Sequence, residues 1–263
     1  MIIDAHAHIY PEKISEAAVH GIEDFYDMHV ANNGTLKNLL ALGEKSGIDK
    51  FLVHSVATVP AQVPSINNFL AASLAEHPGK LIGFMAMHPG YEDISGEIDR
   101  AISLGMQGIK LHPDFQQFAI DDPIAYPIYE AAEGRLPILF HMGDTRYSFS
   151  EPHRLAKMLK DFPNLRVIGA HFGGWSQWDE AAEQLAGREN LWVDSSSTSY
   201  AVPPERFRQL IEAFGTDRVL FASDYPMWSP GEELNFLRGL GFSQEDMERM
   251  LHKNLEDLLS GNA

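Results

Sequence analysis

The sequence predicts an α/β fold, a single-domain (β/α)8 TIM barrel, and three observations carry that expectation. Short apolar runs recur at a steady interval, each followed by a longer stretch with helical spacing. The length of 263 residues suits one barrel, which routinely takes ~250 residues. No Gly-rich phosphate loop follows the first run, where a doubly wound open sheet usually carries one. The expected strands are residues 2–6, 50–56, 80–87, 108–112, 137–141, 166–171, 191–194 and 218–224. Between them lie amphipathic segments at 36–46, 66–77, 94–104, 124–132, 154–162, 179–185 and 205–214. The chain closes with helices at 232–240 and 244–259. Residues 9–35 form the longest connection outside this alternation; a helix near 12–25 and a lid or specificity role are expected there.

Composition narrows the chemistry. With 20 Lys plus Arg against 37 Asp plus Glu, the formal charge of −17 repels phosphate backbones and argues against nucleic acid as a partner. Cysteine is absent, which removes disulfides, thiolate ligands and a cysteine nucleophile. The start Met1-Ile2-Ile3-Asp4 lacks the basic and apolar regions of a signal peptide, and no uncharged apolar run reaches the ~20 residues of a membrane span. A cytoplasmic protein with a small-molecule substrate and no membrane partner is expected. The 12 histidines direct attention to metal and acid–base chemistry.

Those histidines concentrate at strand ends. In Asp4-Ala5-His6-Ala7-His8, residues two apart share one face of a regular strand, so Asp4, His6 and His8 are expected to point together. Lys110 and His112 close the fourth strand, His141 the fifth, His171 the sixth and Asp224 the eighth. In a barrel these carboxyl ends converge on the catalytic face. Several imidazoles and one carboxylate there fit Zn²⁺ or a similar borderline cation with a position left for water. A single strand-end histidine is more often a hydrogen-bonded structural residue. A purely structural core has no need of such polar groups at five strand ends.

Taken in order, Asp4-Ala5-His6-Ala7-His8, His141, His171-Phe172-Gly173-Gly174, Ser223-Asp224-Tyr225-Pro226 and Lys253-Asn254-Leu255-Glu256-Asp257-Leu258-Leu259 resemble the amidohydrolase superfamily. Specifically, they resemble its amidohydrolase-2 branch, which includes aminocarboxymuconate-semialdehyde and resorcylate-type decarboxylases. The resemblance implies one divalent metal, zinc by expectation, held by His6, His8, His141 and Asp224. It places His171 beside the metal-bound water as base or electrostatic partner, with Asp224 also taking part in proton transfer. Superfamily members with two metals carry a carboxylated lysine where Lys110 stands, so a two-metal site bridged by Lys110 is the alternative. In the one-metal branch Lys110 and His112 would contact substrate. Asp4 is read as a carboxylate behind His6 that fixes a ligand tautomer, or as a satisfied structural group.

Tyr26, Phe115, Arg146, Tyr147, Phe172, Trp175, Trp178, Tyr200 and Trp228 fall in top-face loops and would wall a pocket for a small, partly apolar ligand. Arg146 would clamp a substrate carboxylate, or pair with nearby Asp144 or Glu151. His54 and His88 end strands two and three and could face the same pocket. The leading functional expectation is a metal-dependent hydrolase that directs activated water at an amide, lactone or ester. The alternative is non-oxidative decarboxylation of a small unsaturated or aromatic acid. A barrel with a merely structural metal is disfavoured, because structural zinc sites are closed and thiolate-rich. A deoxyribonuclease of related fold is disfavoured by the charge and by Lys110. Assembly into a homodimer is left open by the sequence.

Overall fold

The computed structural model describes residues 1–261. Eight parallel strands alternate with helices: β1 Ile3–His8, α1 Glu12–Tyr26, α2 Leu36–Ser46, β2 Lys50–His54, α3 Val63–Glu76, β3 Leu81–Ala86, α4 Ile94–Ser103 and β4 Met106–Leu111. The order continues with α5 Pro113–Gln116, α6 Tyr126–Ala132, β5 Ile138–Phe140, α7 Pro152–Asp161, β6 Val167–Gly169, α8 Trp178–Leu185 and β7 Leu191–Asp194. It ends with α9 Pro204–Phe214, β8 Val219–Leu220, α10 Pro230–Gly239, α11 Gln244–Glu248 and α12 Asn254–Ser260. Each strand pairs with its sequence neighbour, β1 through β8. Backbone bonds from Ala5 N to Phe221 O, His8 N to Tyr225 O and Asp224 N to His6 O close the ring between the last and first strands. This is the (β/α)8 barrel that the alternation predicts. No helix among the described residues is long and apolar enough to cross a membrane.

The differences from expectation lie at strand ends. β8 keeps only two residues in the ladder. Residues 221–224 leave it, and Asp224 takes a left-handed φ of 60°. β1 runs through His8, but its register against β2 shifts between Asp4 and Ala7. That bulge inverts the pleat: Ile3 and Ala5 join the barrel interior, while His8 pairs with His54 on the inward face. The segment 244–259 is one helical run interrupted by a π turn at Arg249–Lys253.

Two apolar layers hold the barrel. The interior floor is built from inward residues such as Leu52, Phe84, Leu139, Ile168, Trp192 and Leu220, with Leu255 and Leu258 of α12 packed against it. Arg166, which precedes β6, donates to the Leu258 carbonyl, so α12 lies at the amino ends of the strands, opposite the catalytic face. Asn254 pins this helix by donating to Thr216 O and Val219 O, both at 2.8 Å. The outer layer packs strands against helices around Met85, Ile109, Phe140 and Leu210. Buried Asn67 on α3 exchanges hydrogen bonds with both the N–H and C=O of Ala86 and donates to Glu97 at 2.7 Å. Removing it would orphan buried groups at about 1–3 kcal/mol each.

Candidate metal centre and active site

Above the apolar floor sits a polar layer at the carboxyl ends of the strands. His6 and His8 come from β1, His54 from β2, Lys110 from β4 and Asp194 from β7; His112, His141, His171 and Asp224 lie just past β4, β5, β6 and β8. All are buried. His171 and Asp224 both hold left-handed φ, 58° and 60°, a strained backbone that turns side chains at functional sites.

Three of the expected ligand atoms meet. His6 Nε2 and His8 Nε2 face each other at 3.2 Å. Asp224 Oδ1 stands 3.3 Å from the first and 3.5 Å from the second. Tetrahedral ligands at ~2.1 Å from a divalent ion stand about 3.4 Å apart, so the triangle has the dimensions of three corners of such a site. The imidazoles are neutral, as ligands must be. Burial first, and then the Lys110 ammonium, hold His6 and His8 well below the ordinary histidine value. Lys110 Nζ, at 3.2 Å, donates to His6 Nε2, which shows a lone pair there open to a cation.

That lone pair is set by Asp194. His6 Nδ1 donates to Asp194 Oδ2 at 2.7 Å, leaving Nε2 bare. The other oxygen of Asp194 accepts from His171 N at 3.0 Å, Ser196 N at 3.1 Å and Ser196 Oγ at 2.5 Å. Because the Ser196 hydroxyl is spent on Asp194, it accepts from His171 Nδ1 at 2.9 Å. His171 Nε2 is therefore an acceptor and takes the His141 Nδ1 proton at 3.1 Å. His141 Nε2 is left bare, buried and without a hydrogen-bond partner, as a metal ligand would be. His141 shares its cavity wall with His8, His171 and Asp224, although its nitrogens lie outside the close triangle.

Asp4 does not reach His6's ring. Its carboxylate accepts from Ser223 N at 2.9 Å, Ser223 Oγ at 2.5 Å and the His6 backbone N–H at 3.2 Å. The β1 bulge is the reason: it breaks the two-residue pleat that would have put Asp4 and His6 on one face. The orienting carboxylate is Asp194, whose only sequence signal is that it ends the seventh strand. His54, at the end of β2, does face this layer: its ring packs on His6 and His8 with centroids 4.7 and 4.3 Å away, and neither nitrogen has a partner. His88 accepts from Gly90 N and belongs to a turn.

Over this layer lies a narrow chamber of about 20 Å³, lined by Tyr26, Met28, His141, His171, Trp175, Ser197, Tyr200, Asp224, Met227 and Trp228. Asp224 Oδ2 accepts from Ser197 Oγ at 2.5 Å, and Trp228 Nε1 donates to that hydroxyl at 2.9 Å. Burial raises the Asp224 carboxyl to about 7, and burial lowers the His171 imidazole to about 4. Gly143 lets the loop after β5 approach the Trp175 backbone: its φ is 83°, and a Cβ there would meet Trp175 N and O at 2.3 Å.

Of the expected substrate contacts, Lys110 lies beside His6 rather than in the chamber wall. His112 stacks face to face on His141, with centroids 3.9 Å apart and planes 6° apart. Asp114 Oδ2 comes within 3.6 Å of His141 Nε2. This second group of candidate ligands, His112, Asp114 and His141, has close atoms, but parallel stacked rings do not aim their lone pairs at one point. Arg146 takes the pairing that the sequence offered as its alternative. It grips Asp144 with Nε at 2.9 Å and Nη2 at 2.7 Å and donates Nη1 to Phe25 O at 2.6 Å, so its fork is not free for a substrate carboxylate.

The chain is similar in structure to a 5-carboxyvanillate decarboxylase from Sphingomonas paucimobilis (TM-score 0.78, 17% identity, 98% of each chain covered). It is also similar to a dihydroxybenzoic acid decarboxylase from Polaromonas with bound manganese and 2-nitroresorcinol (TM-score 0.76, 16% identity, 100% of this chain and 97% of that one). A third likeness is to a putative 2-pyrone-4,6-dicarboxylic acid hydrolase from Pseudomonas putida (TM-score 0.69, 20% identity, 100% of this chain and 98% of that one). At these identities the likeness shows a shared fold. The amidohydrolase family model matches residues 3–260, nearly the whole chain, and so the protein belongs to the amidohydrolase family.

Proposed function

We propose that this amidohydrolase is a metal-dependent, non-oxidative decarboxylase of a small aromatic or unsaturated acid. The observation that carries the reading is the lining of the chamber: Tyr26, Trp175, Tyr200 and Trp228 wall it beside His141, His171 and Asp224. Those aromatic walls suit the faces of a planar ring. The two decarboxylases with the same fold act, by their names, on substituted benzoates. This reading replaces the hydrolase expectation as the leading one. Hydrolysis remains the second reading, favoured by the likeness to the 2-pyrone-4,6-dicarboxylic acid hydrolase.

His6, His8 and Asp224 would hold one divalent ion, with the bare Nε2 of His141 as fourth ligand. When bound, the ion supplies positive charge that draws the oxygens of an acid to the floor of the chamber and stabilises charge developing on them. Nitrogen and oxygen donors accept zinc or manganese, and the Polaromonas relative carries manganese. The rest of the task falls to the chain. The aromatic walls exclude water and hold the ring. As the carbon–carbon bond to the carboxylate breaks and carbon dioxide leaves, the ring carbon must gain one proton. Asp224, backed by Ser197, stands at the wall where that proton must be delivered. His171 Nε2 is the adjoining site that holds or passes a proton, linked through Ser196 to Asp194.

The experiment is a panel of dihydroxybenzoates, 5-carboxyvanillate and 2-pyrone-4,6-dicarboxylate, given to metal-loaded protein and watched for carbon dioxide and for ring opening. Carbon dioxide from a benzoate, with about one ion per chain, is the expected result. Ring opening alone would restore the hydrolase reading, and two ions per chain would bring Lys110 into the metal set.

A further inference from the structure

We propose that Tyr26 is an oxygen-binding subsite of the chamber: its hydroxyl donates to a carboxylate or phenolate oxygen of the substrate, and Arg146 holds it in position. The subsite rests on the small-acid reading above. Its direction follows from the hydrogen bonds around His112. There the Phe115 backbone N–H donates to Nδ1 at 3.3 Å, so in the neutral ring Nε2 carries the proton. Nε2 then donates to Tyr26 Oη at 3.0 Å. A phenol that accepts there still has its own proton to give. Among the described residues His112 is its only hydrogen-bond partner, and the ring lines the chamber with His141, His171 and Asp224. The unspent donor thus belongs to a side chain that walls the space where an acid's oxygen would sit.

Nothing in α1 alone would hold Tyr26 there. It is the last residue of that helix, on the long excursion after β1. Arg146 supplies the anchor. Its guanidinium, fixed in a two-point grip on buried Asp144, donates to the carbonyl of Phe25 and lies over the rings of Phe25, Tyr26 and Tyr147 at 4.9, 5.4 and 5.5 Å. The residue that the sequence offered as a carboxylate clamp thus acts one step removed, as the positioning residue of the tyrosine that would meet the oxygen. Trp175 packs edge-to-face with the Tyr26 ring, with centroids 5.4 Å apart.

The test uses manganese-loaded protein and salicylate as the probe, with binding followed by calorimetry. Tyr26→Phe keeps the ring and its packing and removes one hydroxyl. It should weaken salicylate about 10-fold or more, and raise KM for the acid that is turned over by more than it lowers kcat. Arg146→Met should weaken the probe as well, and adding it to Tyr26→Phe should cost little further, because both act through one hydrogen bond. Unchanged affinity in Tyr26→Phe, additive losses in the double variant, or no salicylate binding by the wild type at millimolar concentration would each overturn the proposal. Carbon dioxide release by the wild type is read separately. If it persists while Tyr26→Phe binds normally, the subsite fails and the decarboxylase reading stands.

Discussion

Asp194→Asn should cost the protein its metal affinity by about 10–100-fold and its turnover by at least as much, without unfolding it. The cause is a tautomer. Three donors, His171 N, Ser196 N and Ser196 Oγ, converge on Asp194 Oδ1 and require an oxygen there. In the variant the amide oxygen must occupy that position, which turns the amide N–H toward His6 Nδ1. His6 then has to accept at Nδ1 and carry its proton on Nε2, so the lone pair that faces His8 and Asp224 is lost. Titration with manganese, monitored alongside thermal unfolding, measures this. Wild-type affinity in a folded variant would show that Asp194 does not orient the ligand.

The second large effect belongs to His171. In His171→Gln, turnover should fall about 10²–10⁴-fold while metal content stays near one per chain. Glutamine can still accept from His141 and donate to Ser196, but it cannot take up and return a proton. The close triangle of His6, His8 and Asp224 does not include His171, so the ion should remain. Burial drops this imidazole to about 4, so it rests neutral, with Nε2 accepting from His141. Metal analysis beside a rate measurement separates the roles: loss of the ion would make His171 a ligand, and an unchanged rate would remove it from the chemistry.

Much of the barrel was legible because periodicity alone fixes where a parallel strand gives way to a helix. The 36–46 segment became a helix with those bounds, capped by Thr35 and ended at left-handed Gly47. The strand-end histidines were legible for the same reason, since carboxyl ends of barrel strands converge. What escaped depends on breaks in regularity. A bulge in β1 removed Asp4 from the face of His6, and no residue pattern announces that bulge. β8 ends at Leu220, and the left-handed backbone at Asp224 lies where its carboxylate joins the triangle. Asp194 and Ser196 carry no motif; they matter because the end of β7 lies beside His171 and reaches the His6 ring. Arg146 was decided by a partner two residues away whose own burial the sequence could not reveal. Tyr26 depends on how α1 folds back over the barrel, a matter of tertiary packing.

The central claim is that His6, His8 and Asp224 share one divalent ion at the barrel mouth. An anomalous difference map from crystals grown with Mn²⁺ tests it most directly. The account predicts a single strong peak within bonding distance of His6 Nε2, His8 Nε2 and Asp224 Oδ1. A map with no peak there, or with its only peak among His112, Asp114 and His141, would contradict it.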